Sequence, residues 1–294
     1  MSPSGSDRGR VIAIARKRGS APERSGRVIP INAPRKRGNP RPLFAAWDEI
    51  EALVSGASSI VVMTDFDGTL AGIRPQPEQV RLGVRARRAL EQLVERNVLV
   101  GIVSGRSLPD VRGRVGLDGI CYVGCHGYSL QATRGLPVTL MSRADEARLP
   151  RIWRDLEVRL AGLRGVRIEA KEAGVSIHYR NAERSHARRA LAIVRDVLRH
   201  NRRLQLLSGK KVWEILPRPG VNKWTAIQSL LALENRRNAL LCYVGDDAPD
   251  EHVFARMRGI SVAVGKRRRT AARFFVESTS DVRRFLEELT RSIA

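Results

Sequence analysis

Short apolar runs alternate with amphipathic stretches along most of the chain. Residues 60–64, 98–103, 120–123 and 239–244 are almost wholly apolar and rich in β-branched side chains, a pattern typical of strands buried on both faces of a parallel sheet. Residues 84–96 instead carry apolar side chains at the spacing of one helix face. This alternation predicts an α/β fold built on a doubly wound, Rossmann-like parallel sheet.

The pattern changes in the middle of the chain. Residues 144–163 and 184–200 have helical periodicity, and each segment is followed by two short strand-like segments. This order favours a small α+β domain with its helices on one face of an antiparallel sheet. Because strand–helix alternation resumes afterwards, we interpret residues 43–141 and 215–294 as one α/β core, and residues 142–214 as a second domain inserted into it.

Composition sets the first 42 residues apart from the rest. They are rich in Ser, Gly, Pro and Arg and contain no aromatic residue, which predicts a disordered tail. Of the formal net charge of +23, residues 1–43 carry +9. A basic tail of this kind is expected to contact a polyanion or an acidic partner, and the alternative is a solvated tail with no partner.

Cysteine content and hydropathy bear on the compartment. The chain has three cysteines, an odd number in strand-like surroundings, which argues against a disulfide framework and for a reducing cytoplasm. No stretch approaches the run of about 18 apolar residues that spans a bilayer, and the N-terminus lacks the apolar centre of a signal peptide. We therefore expect a cytoplasmic protein without a membrane span.

Two pairs of carboxylates follow two of the predicted strands. Asp65 and Asp67 come directly after the first strand, and because side chains at i and i+2 of an extended chain point the same way, both share one face. Asp246 and Asp247 follow the strand at 239–244. Ligands of such sheets bind at the carboxyl ends of the strands. Four carboxylates there predict a Mg²⁺ site, because this ion prefers oxygen ligands, and the alternative is a pair of solvated turns.

Two further side chains complete a set suited to phosphoryl transfer. Ser104 follows the strand at 98–103 and offers a hydroxyl and neighbouring N–H groups to a phosphate. Lys223 lies near the predicted start of a helix, where its charge adds to the helix dipole. A carboxylate nucleophile, a metal ion, a hydroxyl and a lysine together indicate phosphoryl transfer through an aspartyl-phosphate.

In this order the motifs resemble those of the haloacid dehalogenase (HAD) superfamily of phosphatases. The resemblance rests on Asp-Phe-Asp-Gly-Thr-Leu at 65–70, Ser104, Lys223 and Gly-Asp-Asp at 245–247, and the inserted domain is similar to a type IIB cap. More narrowly, the chain is similar to trehalose-6-phosphate phosphatases across about residues 44–290. The motifs that carry the narrower resemblance are Ser-Gly-Arg at 104–106, Gly-Cys-His-Gly at 124–127, Glu-Ala-Lys at 169–171, Ser-Ile-His-Tyr-Arg at 176–180, Gly-Lys at 209–210, Glu-Ile-Leu-Pro at 214–217, Asn-Lys at 222–223 and Gly-Asp-Asp-Ala-Pro-Asp-Glu at 245–251.

The resemblance implies hydrolysis of trehalose 6-phosphate, a step of trehalose biosynthesis. It implies that Asp65 is the nucleophile, and that Asp67 protonates the leaving sugar oxygen and then activates water. It also implies that Mg²⁺ is held by Asp65, the carbonyl of Asp67 and Asp246, with Asp247 acting through water.

The resemblance further implies how the sugar phosphate is held. Ser104 and Lys223 are implied to bind the phosphoryl oxygens. The residues implied to bind the rest of the substrate are Arg106, Glu169, Lys171, Arg180, Lys210 and Glu214.

Four positions depart from the pattern of these phosphatases. The departing residues are Ser129, Leu216, Trp224 and Pro249. They bear on the substrate more than on the reaction, so the alternative is the same hydrolysis of another phosphorylated glycoside, such as glucosyl- or mannosyl-3-phosphoglycerate or sucrose 6-phosphate. A further alternative is a non-catalytic polyanion-binding protein on this fold. No role is assigned to His126 or His178.

Overall fold

The computed structural model describes residues 36–209, 211–218, 220–265 and 269–293. Its strands are β1 (Arg41–Pro42), β2 (Ile60–Thr64), β3 (Leu99–Val103), β4 (Cys121–Gly124), β5 (Ser129–Gln131), β6 (Val138–Thr139), β7 (Arg167–Lys171), β8 (Gly174–His178), β9 (Leu204–Gly209), β10 (Val212–Pro217), β11 (Leu240–Gly245), β12 (Ile260–Val264) and β13 (Phe274–Val276). Its α-helices are α1 (Trp47–Ser55), α2 (Val84–Glu95), α3 (Leu108–Val115), α4 (Arg143–Leu160), α5 (Arg184–Arg199), α6 (Lys223–Leu233), α7 (Glu251–Phe254) and α8 (Thr279–Ser292).

The larger of two sheets forms the core. Its strand order is β1-β13-β12-β11-β2-β3-β4-β5-β6, parallel as far as β4 and closed by the antiparallel strands β5 and β6. Val62 packs with residues of α1, α2, α3 and α8 on one face, while its neighbours Val61 and Met63 pack with residues of α6 and α7 on the other. The apolar strand β2 is therefore buried on both sides, and the predicted doubly wound α/β core is confirmed.

The second sheet belongs to the inserted domain, which we call the cap. Its four strands have the order β7-β8-β10-β9 and are antiparallel throughout. Helices α4 and α5 cover one face, where Leu156 and Val194 pack against Ile177 and Ile215. The last cap strand continues to Pro217, three residues beyond the limit of 214 that we placed on the cap from sequence.

The predicted start of the core was residue 43, but strand pairing in the core begins two residues earlier, at Arg41. The backbone of β1 adds a parallel edge strand to β13, with the N–H of Arg41 donating to the carbonyl of Arg273 at 2.9 Å. Pro42, which has no N–H to donate, lies between the two bonded positions, as proline on an edge strand must. The Arg41 side chain also pairs with Glu49 of α1 at 2.6 Å. The remainder of the predicted tail, residues 1–35, lies outside the described residues.

Candidate active site

The carboxyl ends of β2, β3 and β11 bring the predicted polar residues to one edge of the core sheet. β2 lies between the other two strands in parallel register. The N–H of Asp65 donates to the carbonyl of Val244 at 2.8 Å, so the first residue after β2 lies beside the end of β11, where Asp246 follows. On the other side, the N–H of Ser104 donates to the carbonyl of Val123 at 2.9 Å. Strand register alone therefore brings these three side chains to one edge.

A buried lysine links the residue that follows β2 to a residue that follows β11. The Nζ of Lys223 donates to Asp65 at 2.6 Å and to Asp250 at 2.7 Å. Asp250 also accepts from the hydroxyl of Tyr243 at 2.7 Å and from the N–H of Asp247 at 2.9 Å. Both carboxylate oxygens of Asp250 are thus engaged, and its role is to hold Lys223 against Asp65. Asp250 belongs to the Gly-Asp-Asp-Ala-Pro-Asp-Glu motif at 245–251, and no role was assigned to it from sequence.

Burial and charge shift the pKa values of this group in opposite directions. Burial raises the pKa of Asp65 well above its ordinary value, and the neighbouring carboxylates of Asp250 and Asp246 raise it further, while Lys223 opposes them. Burial alone would lower the pKa of Lys223, but Asp250 and Asp65 raise it above the ordinary value of a lysine. Among the described residues, the Lys223 ammonium contacts the carboxylates of Asp65 and Asp250, and the carboxylate of Asp246 lies close to both.

This donor set fits a hard divalent cation. Oxygen atoms of Asp65, Asp246 and Asp250 lie within 4.8 Å of one another. Gly68, at φ +85°, lets the turn lie against Asp246, since a Cβ there would meet the Asp246 carboxylate at 2.3 Å. The side chain of Asp247 accepts from the N–H of Ala248 at 2.8 Å, at the start of a short helical turn.

Asp67 is held by an arginine that we had expected to bind substrate. The guanidinium of Arg106 makes two hydrogen bonds to Asp67, at 2.6 and 2.7 Å, and a third to Asp110 at 2.9 Å. Arg114 binds the other side of Asp110 at 2.7 Å. Burial lowers the pKa of Arg106, but Asp67 and Asp110 raise it above its ordinary value, so the guanidinium stays charged. Arg106 also lines the cavity described below, and its two bonds hold Asp67 in one orientation.

The cap presents a polar face toward the core edge. Alternate residues of β7, β8 and β10 point away from α4 and α5, because side chains alternate along a strand. The residues of this face that line the cavity are Arg167, Glu169, Lys171, His178, Val212 and Glu214.

Glu169 and Glu214, both predicted to bind substrate, have different surroundings. Glu169 is half-buried and pairs with Nε2 of His178 at 2.7 Å, which lowers the pKa of its carboxyl. Glu214 is buried and pairs with Lys171 at 2.5 Å and with His126 of the core. Burial would raise the pKa of Glu214, but His126 and Lys171 hold it well below its ordinary value.

One cavity of about 450 Å³ lies between the core edge and the cap face. It brings together eleven of the twelve predicted site residues, and Lys210 is outside the described residues. The cavity is therefore charged at both ends, with the phosphoryl-transfer set on the core and the carboxylates of Glu169 and Glu214 on the cap. The predicted site residues that line it are Asp65, Asp67, Ser104, Arg106, Glu169, Lys171, Arg180, Glu214, Lys223, Asp246 and Asp247.

Three of the four departures from the family pattern lie away from this lining. Leu216 is buried in a small apolar cluster with Cys125, Tyr128 and Ala173 between core and cap. Trp224 packs against the apolar cluster beneath α6. Ser129 is buried as well, and among the departures Pro249 is the one that lines the cavity.

An Asp-x-Asp turn, a serine, a lysine and an aspartate pair at the ends of parallel strands, under an inserted cap, define a HAD-type phosphatase. Residues 63–287 match a family model described as trehalose-phosphatase. The chain is 31% identical over 273 residues to "Probable trehalose-phosphate phosphatase 3" of Oryza sativa subsp. japonica, covering 85% of this chain and 74% of that protein. The chain belongs to the trehalose-phosphatase family, whose members are phosphoric monoester hydrolases, and the resemblance seen in the sequence is confirmed.

The chain is also similar to a second relative and to a solved structure. The chain is 35% identical over 245 residues to the trehalose-phosphate phosphatase of Mycobacterium ulcerans, covering 79% of this chain and 62% of that protein. The structure of the C. albicans trehalose-6-phosphate phosphatase C-terminal domain superposes with a TM-score of 0.72 at 20% identity, covering 87% of this chain and 99% of that one. At this identity the superposition establishes the fold.

Proposed function

We propose that the chain hydrolyses trehalose 6-phosphate to trehalose and phosphate. The observation that carries the proposal is the single cavity that joins the Asp65–Lys223 end of the core to the Glu169–Glu214 face of the cap. A phosphate monoester fits the first end, because a serine hydroxyl and an ammonium offer donors to its oxygens. Sugar hydroxyls fit the second, because carboxylates accept hydrogen bonds from them.

The geometry supports a two-step reaction. Asp65 attacks the phosphorus, and the bond from phosphorus to the sugar oxygen breaks while Asp67 gives that oxygen a proton. Asp67 then takes a proton from a water molecule that attacks the aspartyl-phosphate, which releases phosphate and restores the Asp65 carboxylate. Arg106 holds both oxygens of Asp67 at the core edge, and one of these two hydrogen bonds opens when Asp67 carries the proton. Lys223 holds Asp65 and neutralises phosphoryl charge.

We propose Mg²⁺ as the metal, held by Asp65, Asp246 and the carbonyl of Asp67. Carboxylate oxygens of three aspartates that lie within 4.8 Å of one another support a divalent cation, and an all-oxygen set of donors supports a hard one. When bound, such an ion neutralises charge on the phosphoryl oxygens. Asp250 contributes indirectly, because it holds Lys223.

Phosphate release from a panel of sugar phosphates tests the proposal. We expect Mg²⁺-dependent release from trehalose 6-phosphate, lost on treatment with EDTA and restored by Mg²⁺. Because Pro249 lines the cavity, the panel includes glucosyl- and mannosyl-3-phosphoglycerate and sucrose 6-phosphate. If the enzyme hydrolyses one of these compounds and not trehalose 6-phosphate, the chain is a phosphatase but the proposed substrate is wrong.

The cellular setting is also a proposal. The cysteines Cys121, Cys125 and Cys242 are all buried and unpaired, which supports a reducing cytoplasm. In the part of the chain that is described, no helix has the length and apolar character needed to cross a membrane. The polyanion or acidic partner expected for the basic tail stays a prediction, because residues 1–35 lie outside the described part.

A further inference from the structure

The Gly-Cys-His-Gly turn that follows β4 takes no part in the chemistry above, yet its backbone is strained. Three consecutive residues have positive φ angles: Cys125 at +48°, His126 at +57° and Gly127 at +116°. Residues other than glycine rarely adopt this region, and such strain persists where the surroundings require it, often at functional sites. The turn therefore calls for a functional explanation.

This turn braces the loop at 104–106 from the core side. The N–H of Cys125 donates to the carbonyl of Arg106 at 2.7 Å, and the N–H of His126 donates to the carbonyl of Ser104 at 3.1 Å. The imidazole of His126 lies against Gly105, where an added Cβ would approach its Cε1 to 2.5 Å. His126 thus contacts Ser104 and Gly105, and its neighbour Cys125 contacts Arg106.

The same imidazole reaches the cap. Its Nε2 bonds to Glu214 on β10, and because a carboxylate only accepts, Nε2 carries the proton. Glu214 also accepts from Lys171 at 2.5 Å, and Lys171 donates in turn to the carbonyl of Gly105 at 3.1 Å. Core loop, histidine, glutamate and lysine therefore form a closed ring of contacts between core and cap.

We propose that His126 is a positioning residue that fixes the cap face over the 104–106 loop through its bond to Glu214. The left-handed backbone at His126 directs the imidazole out of the turn and toward Glu214 of the cap. This contact explains why the strained backbone conformation is present. Without the bond, Glu214 loses its direct contact with the core and stays linked to it through the bond from Lys171 to Gly105. A substrate that spans both parts then meets a cap face that is held less firmly. A substrate confined to the core edge is unaffected.

Two substitutions separate the side-chain bond from the backbone strain. His126→Gln keeps an N–H donor at about the place of Nε2, whereas His126→Asn cannot reach Glu214 but tolerates the left-handed backbone best among these residues. We expect His126→Asn to lower kcat/KM for trehalose 6-phosphate by about 10- to 100-fold, as for a lost hydrogen bond to a charged group. His126→Gln is expected to retain at least about a third of wild-type kcat/KM, since the donor remains.

A small aryl phosphate and a second histidine serve as controls. Hydrolysis of the aryl phosphate should stay within about threefold of wild type in both variants, because it makes no cap contacts. His186→Asn, which removes an imidazole bonded to the carbonyl of Arg164 within the cap, should leave both substrates unchanged. Equal losses on both substrates, or a better result for Asn than for Gln, would overturn the proposal.

The kinetic test uses trehalose 6-phosphate and therefore rests on the proposed function. The position of the cap relative to the core can be measured without any substrate. Spin labels at Arg188→Cys on α5 and Asp118→Cys in the core report the distance between the two parts. Burial raises the pKa values of the three native cysteines to about 12, so labelling is confined to the new sites. The distance distribution should broaden in His126→Asn and not in His126→Gln. An unchanged distribution in the Asn variant refutes the role of His126, whereas inactivity of wild type on trehalose 6-phosphate refutes only the proposed function.

Discussion

Replacing Asp250 by asparagine tests whether a residue with no direct part in the chemistry controls it. The carboxylate is buried and accepts from Lys223, Tyr243 and the N–H of Asp247. Asparagine has the same shape, and its oxygen still accepts from Lys223 and Tyr243. Its amide group, however, faces the N–H of Asp247, so one hydrogen bond is replaced by two opposed donors.

The expected magnitude follows from these contacts. Loss of the charge weakens the bond from Lys223 by about 1 kcal/mol, and the opposed donors cost about 1–3 kcal/mol more. If this free energy is lost from the transition state, kcat/KM falls about 30- to 1000-fold, at about 1.4 kcal/mol for each factor of ten. The free energy of unfolding should fall by a similar amount, because Lys223 remains buried with one charged partner.

Phosphate release from two substrates distinguishes an effect of Asp250 on the core edge from an effect on binding of the sugar. Because Asp250 acts on the core edge, trehalose 6-phosphate and a small aryl phosphate should lose activity in the same proportion. Asp118→Asn removes an exposed carboxylate of the core and should leave both rates within about twofold, as is usual for surface changes. Wild-type kcat/KM in Asp250→Asn, or a loss confined to the sugar phosphate, would refute the reasoning.

The remaining predictions concern the nucleophile, the acid, the N-terminal segment and a buried glutamate. Asp65→Asn should lower kcat at least about 10³-fold, and a wild-type rate of phosphate release would rule out the covalent step. Asp67→Asn should lower kcat about 10²–10⁴-fold while vanadate still inhibits, and full turnover across the pH range would reject the acid–base assignment. Removing residues 1–35 should leave kcat within about twofold, whereas removing residues 1–42 also deletes β1 and should lower Tm by about 2–8 °C, so equal Tm values would show that β1 contributes nothing. Because the pKa of Glu214 is depressed in the folded state, its ionic contribution is complete above about pH 4.5 and is lost as the pH falls toward the folded value. The difference in Tm between wild type and Glu214→Gln should therefore shrink on acidification, and a difference independent of pH would contradict this.

Much of the fold could be predicted from the sequence, because the spacing of apolar residues indicates the strands and helices and also where each strand ends. The buried strand β2 and the strand β11 are continuous apolar runs, and in a parallel sheet their carboxyl ends must lie at one edge. That rule alone placed Asp65 beside Asp246. The cap sheet followed in the same way from the order of its helices and strands.

The side-chain partners were not accessible, because they depend on contacts between distant segments. Arg106 was expected to bind substrate, and its pairing with Asp67, 39 residues away, requires the three-dimensional meeting of two loops. Asp250 reaches Lys223 because a short helical turn at 248–250 redirects the chain after Asp247. The first paired strand was missed because two residues, Arg41 and Pro42, carry too short a pattern to indicate a strand.

The imidazole of His126 illustrates a different limit. No role could be assigned to this histidine from the sequence. Spacing along the chain carries no sign of its left-handed backbone or of its bond to Glu214, 88 residues away. Glycine residues beside a histidine are the signal that could have indicated a turn of this kind.

A competition experiment tests most directly the claim that trehalose 6-phosphate is the preferred substrate. Trehalose 6-phosphate, sucrose 6-phosphate and glucosyl-3-phosphoglycerate are mixed in equal amounts with the enzyme and Mg²⁺, and the early loss of each is followed, since relative consumption equals the ratio of kcat/KM values. We expect trehalose 6-phosphate to be consumed at least about tenfold faster than either competitor. This preference should fall in Glu169→Ala, because the variant lacks the charged hydrogen bond that we propose Glu169 makes to the sugar. Equal consumption of all three, or faster consumption of a competitor by the wild-type enzyme, would contradict the account.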